Sequence, residues 1–288
     1  MFAAAGPARS LDPARWVLQH IRVGSLDSAY AKARRAQEHL ATLRASIDAY
    51  RASEPHEFVR EVVDHPFQPE LAVVNFRVNV KQPPPESWGL IVGDILTNLR
   101  AALDHALFGH AAARQTLTAA QERALQYPLI AKASEWPGAQ AKLAPLTEPT
   151  VLQIIEDSQP FKVQKPDWHS FALLNGLVNR DKHRQVRVVS YSNEAFDITG
   201  TTGDVERVDK EPREMTDGAL VASVTFRRPL RKPGDSPADV SVTLNVEFGY
   251  TENIELPTVA EQKSVTVVMP ILVDQVIETL DNLKAAGA

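Results

Sequence analysis

The pattern of apolar and polar positions divides the chain into helical and strand-like stretches. Residues 26 to 53 carry Ala29, Ala33, Ala36, Leu40, Leu43, Ile47 and Tyr50, spaced alternately four and three apart. That is the repeat of a helix burying one stripe, and its alanine end allows close approach of a partner. Pro55 ends it, because the residue before a proline is pushed out of helical geometry. The seam predicts one arm of a helical hairpin or bundle, and it would also allow a homodimer contact.

In Leu71 to Val80, the apolar Val74, Phe76, Val78 and Val80 alternate with Asn75, Arg77 and Asn79, which predicts a half-buried strand. The stiff run Pro83 to Pro85 separates it from a second helix over 87–112, with Val92, Ile95, Leu99, Leu103 and Ala106 on one face. A proline-punctuated stretch, 127–150, is expected to wind over the surface. Further helices are predicted near 149–158 and 167–182, the latter with Asp167 as its N-cap.

The last third reads as strands at Gln185 to Tyr191, Leu220 to Arg228 and Asp239 to Phe248, with a short one at Val265 to Val268. Polar segments 200–218 and 229–238 read as long hairpin loops or a lid. A closing helix is expected after Pro270, with Ile271, Val276, Leu280 and Leu283 on one side. The fold class is therefore α+β: a helical bundle packed with a mainly antiparallel β-sheet and a C-terminal helix. One domain is expected over 1–288, helix-rich through 184 and β-rich from 185.

Composition narrows the chemistry. The 288 residues are 44% hydrophobic and 23% charged, as in a globular domain. A net charge of −5 gives no global attraction to nucleic acid, although Lys182, Arg184 and Arg187 form a local basic run. There is no cysteine, which excludes thiol catalysis, disulfides and thiolate zinc sites. Pro7, Asp12 and Pro13 interrupt the opening residues where a signal peptide needs an apolar run. No window approaches about 18 apolar residues. The expected location is the cytoplasm, without membrane contact.

Phosphate-binding glycine loops, HExxH and GxSxG are absent. Two polar clusters remain: Asn98, Arg100, Asp104 and His105 within the second helix, and Asn179, Arg180, Asp181, Lys182, His183 and Arg184 where a helix runs into a strand. At 100° per residue, Arg100 and Asp104 share one flank of the apolar face and Asn98 and His105 the other, about 100–160° apart. Asn175, Asn179 and His183 form a polar stripe beside Trp168, Phe171 and Leu174. Asp104, His105, Asp181 and His183 could donate to a metal, but neighbours on a helix diverge and Lys182 and Arg184 repel a cation. No metal or other cofactor is expected.

The stretch Val92 to His105, Tyr127 to Ile130, Gln159 to Phe161 and Leu173 to Arg184 resembles a family of uncharacterised bacterial proteins. That family carries a GD-x-x-x-N-L-R-S-A-L-D-H helix and a later L-x-N-x-D-K-H-R segment. The resemblance covers roughly residues 85 to 190, with Ala101 and Thr97 departing from the pattern. The spacing of Arg100 and His105 is also similar to that of HEPN helical ribonucleases, in which an Arg and a His on one helix act on RNA phosphates, often across a homodimer.

That resemblance implies a phosphodiester-handling protein or a metal-independent ribonuclease. His105 would be its general acid or base, Asn98 would orient the imidazole, and Arg100, with Asp104 beside it, or Arg184 would meet phosphate charge. Residues 179 and 181–184 would then bind RNA or another phosphate-bearing ligand. The alternative is a non-enzymatic ligand- or partner-binding protein in which both polar clusters are structural.

Overall fold

A computed structural model describes residues 26–68, 70–201, 204–210, 212–228 and 244–288. The loop expected at 229–238 lies outside them. The α+β class holds, with helices and two antiparallel sheets. Contacts group the chain into two compact units. One comprises the described part of Met1–Arg35 with Asn98–Ala172 and Val273–Ala288; the other comprises Ala36–Thr97 and Leu173–Leu272.

The seam helix α1 spans Asp27–Ala52, and each of its seven seam residues is at most 6% exposed. That leaves the stripe no free face for a second copy. Glu54 follows with φ 48°, a left-handed turn just before Pro55. Helix α2 spans Ser87–Arg114, and Val92, Ile95, Leu99 and Leu103 are fully buried along it. Full burial of such a side chain contributes about 1.5–3 kcal/mol.

The first unit is helical. The stretch expected to wind over the surface is largely exposed, Lys132 to Glu135 included, but it is partly helical and anchored inward by a few side chains. Tyr127, Trp136, Leu143 and Leu146 are buried, and helix α4 (Trp136–Leu143) follows the short α3 (Ala119–Ala124). Pro137 starts α4 rather than breaking it, since its missing N–H falls in the first turn. Helix α5 is Pro149–Asp157. Tyr30 Oη donates to Asp281 Oδ1 at 2.6 Å, joining α1 to the last helix of the same unit.

Helix α6 runs Ser170–His183. Asp167 is not its N-cap. Asp167 lies in the preceding 3-10 turn, Pro166–Trp168, and the Phe171 N–H donates to His169 Nδ1 at 3.1 Å. The cap needs an acceptor one residue before the helix, and His169 holds that position.

The second unit carries every described strand. β1 (His56–Asp64), β2 (Leu71–Val80), β5 (Leu220–Arg227) and β4 (Asp204–Lys210) form one sheet in the order β1-β2-β5-β4. β3 (Val189–Thr201), β6 (Leu244–Leu256) and β7 (Glu261–Ser264) form the other. Inward residues of β2 and β5, among them Val74, Phe76, Val224 and Phe226, share a core with Leu244, Val246 and Phe248 of β6. The Phe58 and Phe248 rings stack 4.1 Å apart within it.

Three expectations change. Segment 200–218 holds β4 and is not one long loop. The third strand starts at Val189 rather than Gln185. Val265 to Val268 is the first turn of helix α7 (Val265–Ala285), which contains Pro270 instead of starting after it. Val265, Val268, Met269, Leu272, Val273 and Val276 are all buried. Their spacing is helical, and this burial outweighs the strand preference of the β-branched run.

Candidate functional site

The first polar cluster belongs to the helical unit, and its charges turn inward. Arg100 Nε donates to Asp104 Oδ2 at 3.2 Å, and a terminal guanidinium nitrogen donates to the Tyr127 carbonyl at 2.8 Å. Asp104 Oδ1 accepts the Tyr127 N–H at 2.8 Å. One i, i+4 pair on α2 thereby grips both main-chain groups of one residue. The Tyr127 ring is fully buried, its hydroxyl is 2.7 Å from Ser158 Oγ, and burial raises its pKa far above the usual phenol range.

His105 engages a different partner. Its Nδ1 lies 2.6 Å from Oγ of Ser28, an exposed residue in the first turn of α1. Among the described residues, no third group orients the ring, as nucleophile–base pairs require. Asn98 is half-buried on the same helix. Three histidines elsewhere have pKa values lowered chiefly by burial: His56, His110 and His169. His56 sits edge-on to Tyr250, 4.7 Å between centroids, and neither of its ring nitrogens has a hydrogen-bond partner among the described residues.

The second cluster belongs to the other unit. Asn179 Nδ2 donates to Asn175 Oδ1 at 3.4 Å, and Asn179 and His183 are exposed, so the polar stripe faces outward. Asp181 is half-buried against α2, where a Cβ built on Gly93 would stand 2.8 Å from its carboxylate. The helix motif and the later D-K-H-R segment therefore touch. Lys182 and Arg184 are exposed.

No family model, curated protein or solved structure matches the chain. The functional reading therefore rests on the geometry.

Beside the second cluster lies a groove that the sequence only half marks. A pocket of about 200 Å³ is lined by Arg180, Arg184, Arg187, Glu214, Glu255 and Gln262, among others. It shares residues Gln185 to Arg187 with a cleft of about 510 Å³ bounded by Pro83 to Glu86. Arg180 pairs with Glu255 at 2.8 Å and Arg187 with Glu214 at 2.5 Å, whereas Arg184 has no ion-pair partner among the described residues. Of the residues in the sequence cluster, Arg180 and Arg184 line this groove; Asn179, Asp181, Lys182 and His183 do not.

Glu214 and Gln262 carried no local signal, because they reach the groove through strand pairing. Among the described residues, no three of His, Asp and Glu gather to hold a metal, and no helix is long and apolar enough to cross a membrane.

Proposed function

We propose that the protein is a non-enzymatic binding protein that receives an anionic group on the arginine-lined groove beside Arg184. The observation that carries this reading is the contrast between the two clusters. Arg100 and Asp104 are engaged by the Tyr127 peptide, so the cluster most like a catalytic one acts as a latch. Arg184 lines an open pocket whose walls also carry Glu214 and Glu255, and it has no ion-pair partner among the described residues. A guanidinium in that position suits a carboxylate or phosphate.

Titration of the whole protein with inorganic phosphate, followed by NMR, tests this. Shifts at Arg184 and its neighbours, lost in Arg184→Glu, are expected. Shifts unchanged by that substitution would overturn the reading.

A second reading is a HEPN-like, metal-independent ribonuclease. Support for it comes from His105, whose Nε2 makes no hydrogen bond with any described residue and remains available as a general acid or base. Incubation with mixed RNA in EDTA separates the two. Cleavage abolished by His105→Ala would establish the ribonuclease; no cleavage would leave binding.

A further inference from the structure

Gln185 to Val188 is built like a strand and pairs with none. Gln185 and Arg187 are exposed while Val186 and Val188 are buried, the alternation of a half-buried strand. The ladder to β6 begins only at Val189, opposite Asn253. Among the described residues, no backbone hydrogen bond reaches the N–H or C=O groups of Gln185–Val188. The chain is held in place from behind. Gln185 Nε2 donates to the Glu86 carbonyl at 3.0 Å, and Gly89 lets the Val186 carbonyl lie directly on α2.

Two adjoining pockets flank this segment, and three features mark them. Arg184 lines one of them and has no ion-pair partner among the described residues. Gln262, on the wall of the same pocket, has its Oε1 buried without a hydrogen-bond partner among the described residues. Pro83 to Pro85 form a stiff rim that supplies no N–H donors to compete for the main chain.

We propose that this groove binds an extended acidic segment of another protein, which adds as a strand along Gln185–Val188 and sets a carboxylate on Arg184. The proposal rests on the groove being an anion site and names its partner. A free phosphate would satisfy Arg184 alone. A peptide also supplies N–H and C=O groups at strand spacing, about 3.3 Å per residue, to the unpaired main chain.

Affinity selection of a randomised octapeptide library on the full chain tests this without assuming a sequence. Enrichment of Asp- and Glu-bearing peptides is expected, with binding of a selected peptide weakened about tenfold by Arg184→Glu. Hydrogen exchange at the Gln185 and Arg187 amides, which share the edge away from the Val186 carbonyl, should slow when that peptide binds. Because Arg184 is exposed, the variant should melt as the parent does, which separates binding from folding.

Selected peptides that leave those amides unprotected would overturn strand addition. If no peptide is selected but phosphate shifts Arg184, the peptide proposal falls and the anion site stands. If neither binds, both fall.

Discussion

A Cβ on Gly89 would overlap the carbonyl oxygen of Val186, so helix α2 and the segment leading into β3 touch with no side chain between them. The obstacle is main chain, which cannot rotate aside. Gly89→Ala should gain about 1 kcal/mol of helix propensity and lose about 1–3 kcal/mol to overpacking. The expected net is a lower urea midpoint together with shifted amide resonances over 185–188. Gly93→Ala meets only the end of the Asp181 side chain and should be closer to neutral. Equal effects of the two substitutions would contradict this account.

Asp104→Ala removes the acceptor for both Arg100 and the Tyr127 N–H. Leaving those partly buried donors unpaired should destabilise by about 1–3 kcal/mol. Urea denaturation, with Tyr127 as a fluorescence or NMR reporter, checks it. A change within about 0.5 kcal/mol would mean the latch is dispensable.

Acidification should weaken the fold between pH 7 and 5. His56, His110 and His169 have folded-state pKa values below the ordinary one. The unfolded chain therefore takes up their protons first, at about pH 6.5, and stability falls below that point. His110 and His169 also accept main-chain N–H bonds, which requires an unprotonated nitrogen. In His56→Phe, which keeps a ring between Tyr50 and Tyr250, the fall in melting temperature from pH 7 to 5 should be smaller. An identical pH profile would show that His56 contributes nothing to it.

Leu99→Ala empties the centre of a fully buried stripe. The expected loss is about 2–5 kcal/mol by denaturant melt. A loss under about 1 kcal/mol would mean that the surrounding helices collapse into the space.

The strongest elements were legible because their side chains repeat with the period of the backbone that carries them. The α1 seam, the alternating β2 and the apolar face of α2 are of that kind. β1 and β4 escaped because they lie at sheet edges. Six consecutive residues of β1, Arg60 among them, and nearly all of its outer positions face solvent or lie half-buried, and every residue of β4 is exposed, so neither carries an apolar alternation. Val265 to Val268 misled because β-branched residues state a local preference, while the burial that overrides it comes from residues up to Val276. In the candidate site, Arg184 was readable from its basic neighbourhood. The ion pairs made by Arg180 and Arg187 were not, since Glu255 and Glu214 come from elsewhere in the sequence.

The two outer strands of the four-stranded sheet carry opposite charges side by side: Glu57, Arg60, Glu61 and Asp64 on β1, and Asp204, Glu206, Arg207, Asp209 and Lys210 on β4. A strand approaching either rim must desolvate some of them, which discourages end-to-end growth into fibres. This guard depends on salt, because charge reaches only about 3 Å into a 1 M solution against about 10 Å at 0.1 M. Concentrated stocks of the protein should accordingly stay clear at low ionic strength and lose that protection first in strong brine.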